Sequence, residues 1–408
     1  MIGDNFMQQI SLTSLLHTST LKNKRVFLRA DLNIPIHDGV IKDDYRLQAI
    51  VPTIDLILQK GGKIILATHI GRPKNHEPAL STKHLIPWFK NHNYKHHYKI
   101  EYEPDLDAAH AKSYNDFDTI LLLENMRFYP GEKKSDPLFA QQLAQLGDYY
   151  VNDAFALVHR HDTSITLVPE LFAPDQRTIG LLIEKELRAL QRLLENPAKP
   201  FTLILGGGKV ADKLPLLYAL IDQIDTVLLC PATVFTFLKT QNKPVGLSLV
   251  DTTKLDSCKQ FILEAHQKKI NVMMPIDYQI ADKSFDGPLS LVSADRFPAD
   301  GVGISIGPDT AKLFAQEIQK AGTIFFNGLM GSINRPETLQ GADALFKAMI
   351  ASPGVTIVGG GDSVAAARLL QVNDQLDFLS TGGGATLAYL TGQELPGLAC
   401  FIKKPDRS

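Results

Sequence analysis

Basic and amide side chains gather at the ends of four apolar runs in the first half of this chain. VFLRADLN (26–33), IILATHIGR (64–72), ILLLENMRF (120–128) and YYVNDAFALVHR (149–160) bring Arg29, Asp31, Asn33, His69, Arg72, Arg127, His159 and Arg160 to run ends, and Arg46 follows in DDYRLQAIVPTI. The planar guanidinium fork donates two parallel hydrogen bonds to a carboxylate or phosphate. Asp31 and Asn33 could accept from a ligand hydroxyl or orient the arginines. A single arginine is most often a surface or ion-paired residue. Several at run ends, beside histidines, point to a shared site for a small anion.

The second half carries different chemistry. Three Gly-Gly-Gly tripeptides each follow an apolar run, in FTLILGGGK (201–209), VTIVGGGDS (355–363) and LDFLSTGGGAT (376–386). A glycine turn between a strand and a helix presents backbone N–H groups at the positive end of the helix dipole, where phosphate is stabilised. Three such turns suggest loops converging on one polyphosphate. Lys209 and Lys213 follow the first tripeptide at i,i+4 spacing, which on a helix puts both ammonium groups on one face. Asp362 and Ser363 follow the second. A lone carboxylate beside phosphates is how Mg²⁺ is commonly held, and it is equally a helix N-cap. None of the turns is a GxxxxGK[ST] or clean GxGxxG unit, so neither a P-loop nor a dinucleotide fold is supported.

These residues need a scaffold that delivers run ends to one edge. Apolar runs of strand length alternate with helical-period segments throughout, the pattern of βαβ units and parallel sheets, in which ligands sit at the carboxyl ends of the strands. The expected fold is α/β, with two doubly wound parallel-sheet, Rossmann-like domains and a hinge-bending cleft between them. The segment 180–200 is read as an interdomain helix: Leu182, Ile183, Leu187, Leu190, Leu193 and Leu194 recur at helical spacing, and Asn196-Pro197 ends it. The first domain is placed at 1–179 and the second at 201–394, with a tail of about 395–408 packing back on the first.

Composition narrows the function classes. At 408 residues the chain is long enough for two domains, and a net charge of −2 argues against a nucleic-acid-binding surface. Three scattered cysteines form no CxxC pair, which favours a reducing compartment. No apolar stretch reaches the roughly 18–20 residues of a membrane span, and no signal peptide is evident. A cytoplasmic location is expected. His92, His96 and His97 in NHNYKHHYK read as solvated loop rather than a metal site, and Trp88 as a core residue.

Taken together, the segments resemble the phosphoglycerate kinase family over nearly the full length. LRADLNIP, the Arg46 segment, THIGRP, LLLENMRF, YVNDAF with its HR, EKEL, GGGKVADK, TFLK, FNGLMG, GGGDS, STGGGA and GQELPG occur in family order. The resemblance implies a phosphotransferase moving a phosphoryl group between 1,3-bisphosphoglycerate and ADP, giving 3-phosphoglycerate and ATP, with Mg²⁺, as a monomer. It implies 3-phosphoglycerate binding by Asp31, Asn33, Arg46, His69, Arg72, Arg127 and Arg160. Nucleotide binding falls to Lys209, Lys213, Asn327, Asn334, Gly360, Gly361, Asp362 and Ser363, with Asp362 on the metal and Arg46 and Lys209 catalytic. Four stretches depart from the family pattern: Phe326–Gly331, Asn334 in place of a ribose-binding Glu, Cys230–Thr233 in place of a glycine-rich run, and His161-Asp162-Thr163 in place of small residues. Two alternatives follow from those departures: a catalytically impaired paralog that binds phosphoglycerate as a sensor or scaffold, and a kinase with altered nucleotide preference.

Overall fold

The computed structural model describes residues 20–92 and 98–402; His96 and His97 lie outside them. The chain divides into two compact units, one comprising 1–188 and 394–408 and the other 189–393.

The first unit is built on β1 (Arg25–Ala30), β2 (Lys63–Ala67), β3 (Lys99–Glu103), β4 (Thr119–Leu123), β5 (Tyr149–Asp153) and β6 (Arg177–Ile179). They form one parallel sheet in the order β3-β4-β2-β1-β5-β6. The central strands are continuous apolar runs because helices cover both faces. Val26, Leu28, Ile64, Leu66, Ile120 and Leu122 face one core, with Leu47, Ile50, Ile54 and Ile57 of α1 (Tyr45–Gln59). The alternate residues Phe27, Ile65, Leu121 and Leu123 face a second core with Phe139, Leu143 and Val168. Helices α2 (Pro137–Ala144) and α3 (Thr163–Glu170) supply that second layer.

Helix α4 spans Leu181–Glu195 and buries Ile183, Leu187, Leu190 and Leu193, while Leu182 and Leu194 are only partly covered. The division between the units falls inside this helix, between Arg188 and Ala189.

The second unit holds β7 (Phe201–Leu205), β8 (Thr226–Leu229), β9 (Asn271–Met273), β10 (Asp277–Asp282), β11 (Leu289–Ser293), β12 (Gly301–Ile306), β13 (Thr323–Asn327), β14 (Val355–Gly359) and β15 (Phe378–Leu379). Six of these form a parallel sheet in the order β9-β8-β7-β13-β14-β15, and the other three an antiparallel sheet β11-β10-β12. The antiparallel sheet departs from the all-parallel expectation. Its strands mix apolar with polar residues and glycine, and only β11 is largely open to solvent, so none carries the continuous apolar run that marks the central parallel strands. Counting only its parallel strands, the second sheet has the strand order of a dinucleotide-type doubly wound fold, although its glycine turns lack that fold's fingerprint.

The tail returns to the first unit. Gly397 donates its N–H to Val158 O (2.8 Å) and accepts from Asn152 Nδ2 (3.1 Å). A Cβ there would lie 2.5 Å from Ile165 Cγ2, so the residue must be glycine for the tail to lie this close.

Candidate functional site

In the first unit the switch in strand order lies between β1 and β5, with β2 and β4 alongside, and this edge collects the polar residues. Asp31 directly follows β1 and forms an ion pair with Arg46 in the first turn of α1. His69 Nδ1 lies 3.9 Å from Asp31 Oδ1 and is buried with no hydrogen-bond partner. Burial, then the charges of Arg29, Arg127, Arg46 and Arg160, hold the His69 imidazole well below its ordinary pKa, so it is neutral at pH 7. The charges of all four arginines are thus felt at His69.

Arg127 donates from Nη1 to Gly71 O (2.5 Å), while its Nε is buried and unpartnered. Burial and then Arg160 lower its pKa to about 10, which leaves it cationic at neutral pH. Arg160 makes a two-pronged ion pair with Asp162, Nε to Oδ2 and Nη2 to Oδ1 at 3.2 Å each. Asn33 Oδ1 accepts from Gly71 N (2.7 Å), so its side chain shapes the 69–72 loop. Arg72 on the same loop is exposed.

Two further first-half residues have structural places. Arg29 is fully buried, paired with Glu132 and bonded to Ser164 Oγ (2.7 Å) and Ala30 O (2.6 Å), so it supports the core beneath the site. Trp88 is only partly buried and donates from its indole to Asp44 Oδ2 (3.0 Å), and His92 stacks on it at 4.7 Å between centroids.

Asn125 is a residue that motif reading passed over. Fully buried, it donates from Nδ2 to Ile70 O and Leu80 O (both 2.8 Å) and accepts from Arg127 N (3.0 Å), tying the His69 loop to the Arg127 turn. The signal was an amide set directly after the buried run of β4, where an unpaired polar group would be costly.

In the second unit the edge at the β7–β13 switch carries glycine turns packed backbone to backbone. Gly206 N–H donates to Asn327 O (3.2 Å) and Gly207 N–H to Pro231 O (2.8 Å). A Cβ on Gly207 would fall 2.3 Å from Leu329 O, and one on Gly328 1.9 Å from Gly206 O; both residues also have positive φ. Gly328 N–H donates to Ser363 Oγ (3.2 Å), which joins the 360–363 turn to the same cluster. Gly208 and Gly361 have open space where a Cβ would stand.

Lys213, in the first turn of α5 (Val210–Leu220), is buried and donates to Asn327 Oδ1 (2.5 Å); burial lowers its pKa to about 8. Lys209 precedes that helix as its N-cap, with extended backbone, and is exposed. The expectation that both lysines share one helical face is thus corrected: only Lys213 is helical. Gly360 caps α6 (Gly361–Leu369), and Asp362 is exposed in its first turn beside the buried Ser363. The 382–384 turn leads into α7 (Gly384–Leu390), which packs against α5.

Cys230 and Thr233 are buried, and Thr233 Oγ1 donates to Gly207 O (2.8 Å), bracing the glycine turn from behind. Asn334 is exposed, and its backbone N–H donates to Ser332 Oγ (3.2 Å).

No cluster of three or more metal-ligating side chains occurs among the described residues. An exposed Asp362 beside open glycine turns instead fits a cation held by one carboxylate, with phosphate oxygens and waters completing its shell.

Two doubly wound units, one edged with arginines and the other with glycine turns, define a phosphate-handling α/β protein. Comparison with known proteins makes the class specific. The family description "Phosphoglycerate kinase" matches residues 16–393. The phosphoglycerate kinase of Koribacter versatilis is 39% identical over 396 residues, covering 94% of this chain and 98% of that protein. That of Clostridium botulinum is 38% identical over 388 residues, covering 93% and 96%. Among solved structures, phosphoglycerate kinase from Coxiella burnetii matches with a TM-score of 0.80 at 33% identity, over 94% of this chain and 97% of that one. The Pyrococcus horikoshii enzyme matches with a TM-score of 0.82 at 28% identity, over 95% and 98%. The chain belongs to the phosphoglycerate kinase family and is a phosphotransferase.

Proposed function

We propose that the arginine edge of the first unit binds 3-phosphoglycerate and that the glycine edge of the second binds the phosphates of ADP or ATP with Mg²⁺. The reaction is reversible phosphoryl transfer from 1,3-bisphosphoglycerate to ADP. The single observation that carries this is the cluster at the edge of the first sheet, where buried His69 lies 3.9 Å from Asp31, Asp31 is paired with Arg46, and Arg127 is bonded to the His69 loop at Gly71 O. So much positive charge around one uncharged ring suits a ligand carrying both a phosphate and a carboxylate.

Each residue then has a chemical task. Arg127 and Arg160 grip the anion, Asn33 and Asn125 hold the His69–Arg72 loop beside it, and Arg72 adds an exposed cation. Lys213, the Gly208 amide and the amides of the 360–363 turn take nucleotide phosphates, with Asn327 orienting Lys213. Asp362 and Ser363 would hold Mg²⁺ together with the nucleotide phosphates, and the ion would supply charge neutralisation. Asn334 is assigned to the ribose and Lys209 to the transferring group.

The carboxylate acceptor is ionised at neutral pH, so transfer needs no general base. Charge builds on the equatorial oxygens of the moving phosphoryl group, and fixed cations stabilise it. Arg46 takes that role, with Asp31 holding it ready. Ligands bound on separate units demand that the units close during turnover, which also excludes water from the acyl phosphate. A cytoplasmic, monomeric enzyme is the matching cellular form.

Steady-state kinetics with 3-phosphoglycerate and MgATP test the assignment. Arg46→Ala should lower kcat by about 10³-fold or more while the KM for 3-phosphoglycerate rises only modestly. Wild-type turnover in that variant would refute the role given to Arg46. Replacing ATP by GTP in the same assay shows whether the Cys230–Thr233 and Asn334 substitutions have moved nucleotide preference.

A further inference from the structure

Asp162 stands immediately before α3, the position at which an aspartate ordinarily caps a helix by accepting from its first amides. Its side chain makes no such bond. Those amides are already taken: Thr163 N–H donates to Glu132 O (2.6 Å) and Ser164 N–H to Glu132 Oε2 (3.0 Å). With its capping task done by Glu132, the Asp162 carboxylate turns to Arg160 and meets Nε and Nη2 at 3.2 Å each.

The pair is asymmetric in exposure. The Asp162 side chain is 5% exposed and that of Arg160 33%. The carboxylate is therefore fixed from below, and the arginine reaches outward from it. A guanidinium carries five N–H donors. Asp162 engages one edge, which leaves both Nη1 hydrogens and one on Nη2 for a ligand. The charge of Asp162 also reaches Arg127 and His159. It is a counter-charge set inside the basic cluster, on an arginine that reaches solvent.

We propose that Asp162 is a positioning residue that sets how tightly the arginine cluster holds phosphoglycerate, clamping Arg160 by one edge while offsetting one unit of its charge. This rests on the reading of the cluster as the phosphoglycerate site. A site with uncompensated arginines would bind the anion more strongly in substrate and product alike, which adds nothing to the chemical step and slows release.

The test is titration calorimetry of 3-phosphoglycerate into the full-length protein across a range of KCl concentrations, for wild type, D162N, R160A and R160A/D162N. The amide of D162N keeps one oxygen for Arg160 and removes the charge. At low salt D162N should bind about fivefold more tightly than wild type, with a steeper loss of affinity on adding salt. Structural damage would not produce tighter binding. D162N binding no more tightly than wild type, with an unchanged melting temperature, overturns the inference. Should D162N melt early, R160A/D162N against R160A decides: tighter binding by the double variant supports it, and equal or weaker binding overturns it. R160A binding like wild type would instead sink the site reading itself.

Discussion

Individual side chains here are tuned more by burial than by their type. His69 and Lys213 show it from opposite halves: one is held neutral among arginines, the other sits low in its range beside Asn327. For Lys213 the consequence is directional. In the ligand-free protein its ammonium loses its proton as pH rises through about 8, and with it goes a charge-assisted hydrogen bond to phosphate. ADP binding to wild type should therefore weaken above that pH. Lys213→Ala should bind ADP about tenfold or more weakly at pH 7 and lose that alkaline limb. A limb of equal size in the variant would assign it to another group. Sequence alone made Lys213 and Arg127 visible as chemistry, because each falls at a motif position after an apolar run. Residue type and run position could not separate Arg29 from Arg127, since both are arginines near strand ends; only the family resemblance left Arg29 out. Only burial, with Glu132 closing on Arg29, tells a core support from a ligand contact.

At the scale of elements, the junction of β5, α1 and α4 shows how a strand end can hold two helices. Asp153 ends β5, is fully buried, and accepts from Thr53 Oγ1 of α1 (2.5 Å) and from Ile183 N of α4 (3.0 Å), while Leu181 N donates to Thr53 Oγ1 (3.1 Å). Burial outweighs these hydrogen bonds and raises Asp153 to about 7. An unfolded aspartate titrates near 4, so between about pH 4 and 7 the folded chain binds more protons than the unfolded one. Stability contributed by this group is complete below that window and falls as pH rises through it, by up to about 1.4 kcal/mol per pH unit. Denaturant unfolding of Asp153→Asn should lack this decline. A profile parallel to wild type would place the proton elsewhere. Helix α4 itself was legible from its leucine spacing and its Asn-Pro stop. The antiparallel sheet β10 to β12 was not, because its strands interrupt apolar residues with polar ones and glycine and lack the long apolar runs that mark the parallel ones. Lys209 also escaped the helical reading: the glycines before it allow an extended cap that spacing cannot reveal.

For the molecule as a whole, the organisation is two units, each built on a parallel sheet with a different edge, joined twice by the chain, once within α4 and again before the tail that docks at Gly397. Among the described residues no helix is long and apolar enough to cross a membrane. The division of labour between the units makes a spatially resolved claim, which amide hydrogen exchange reads directly on the intact protein. Adding 3-phosphoglycerate alone should protect the loops at 31–33, 69–72, 125–127 and 159–162. Adding MgADP alone should protect 206–213, 327–331 and 360–363. Protection by 3-phosphoglycerate that appears on the glycine turns and leaves the arginine loops unchanged would contradict the account at its centre.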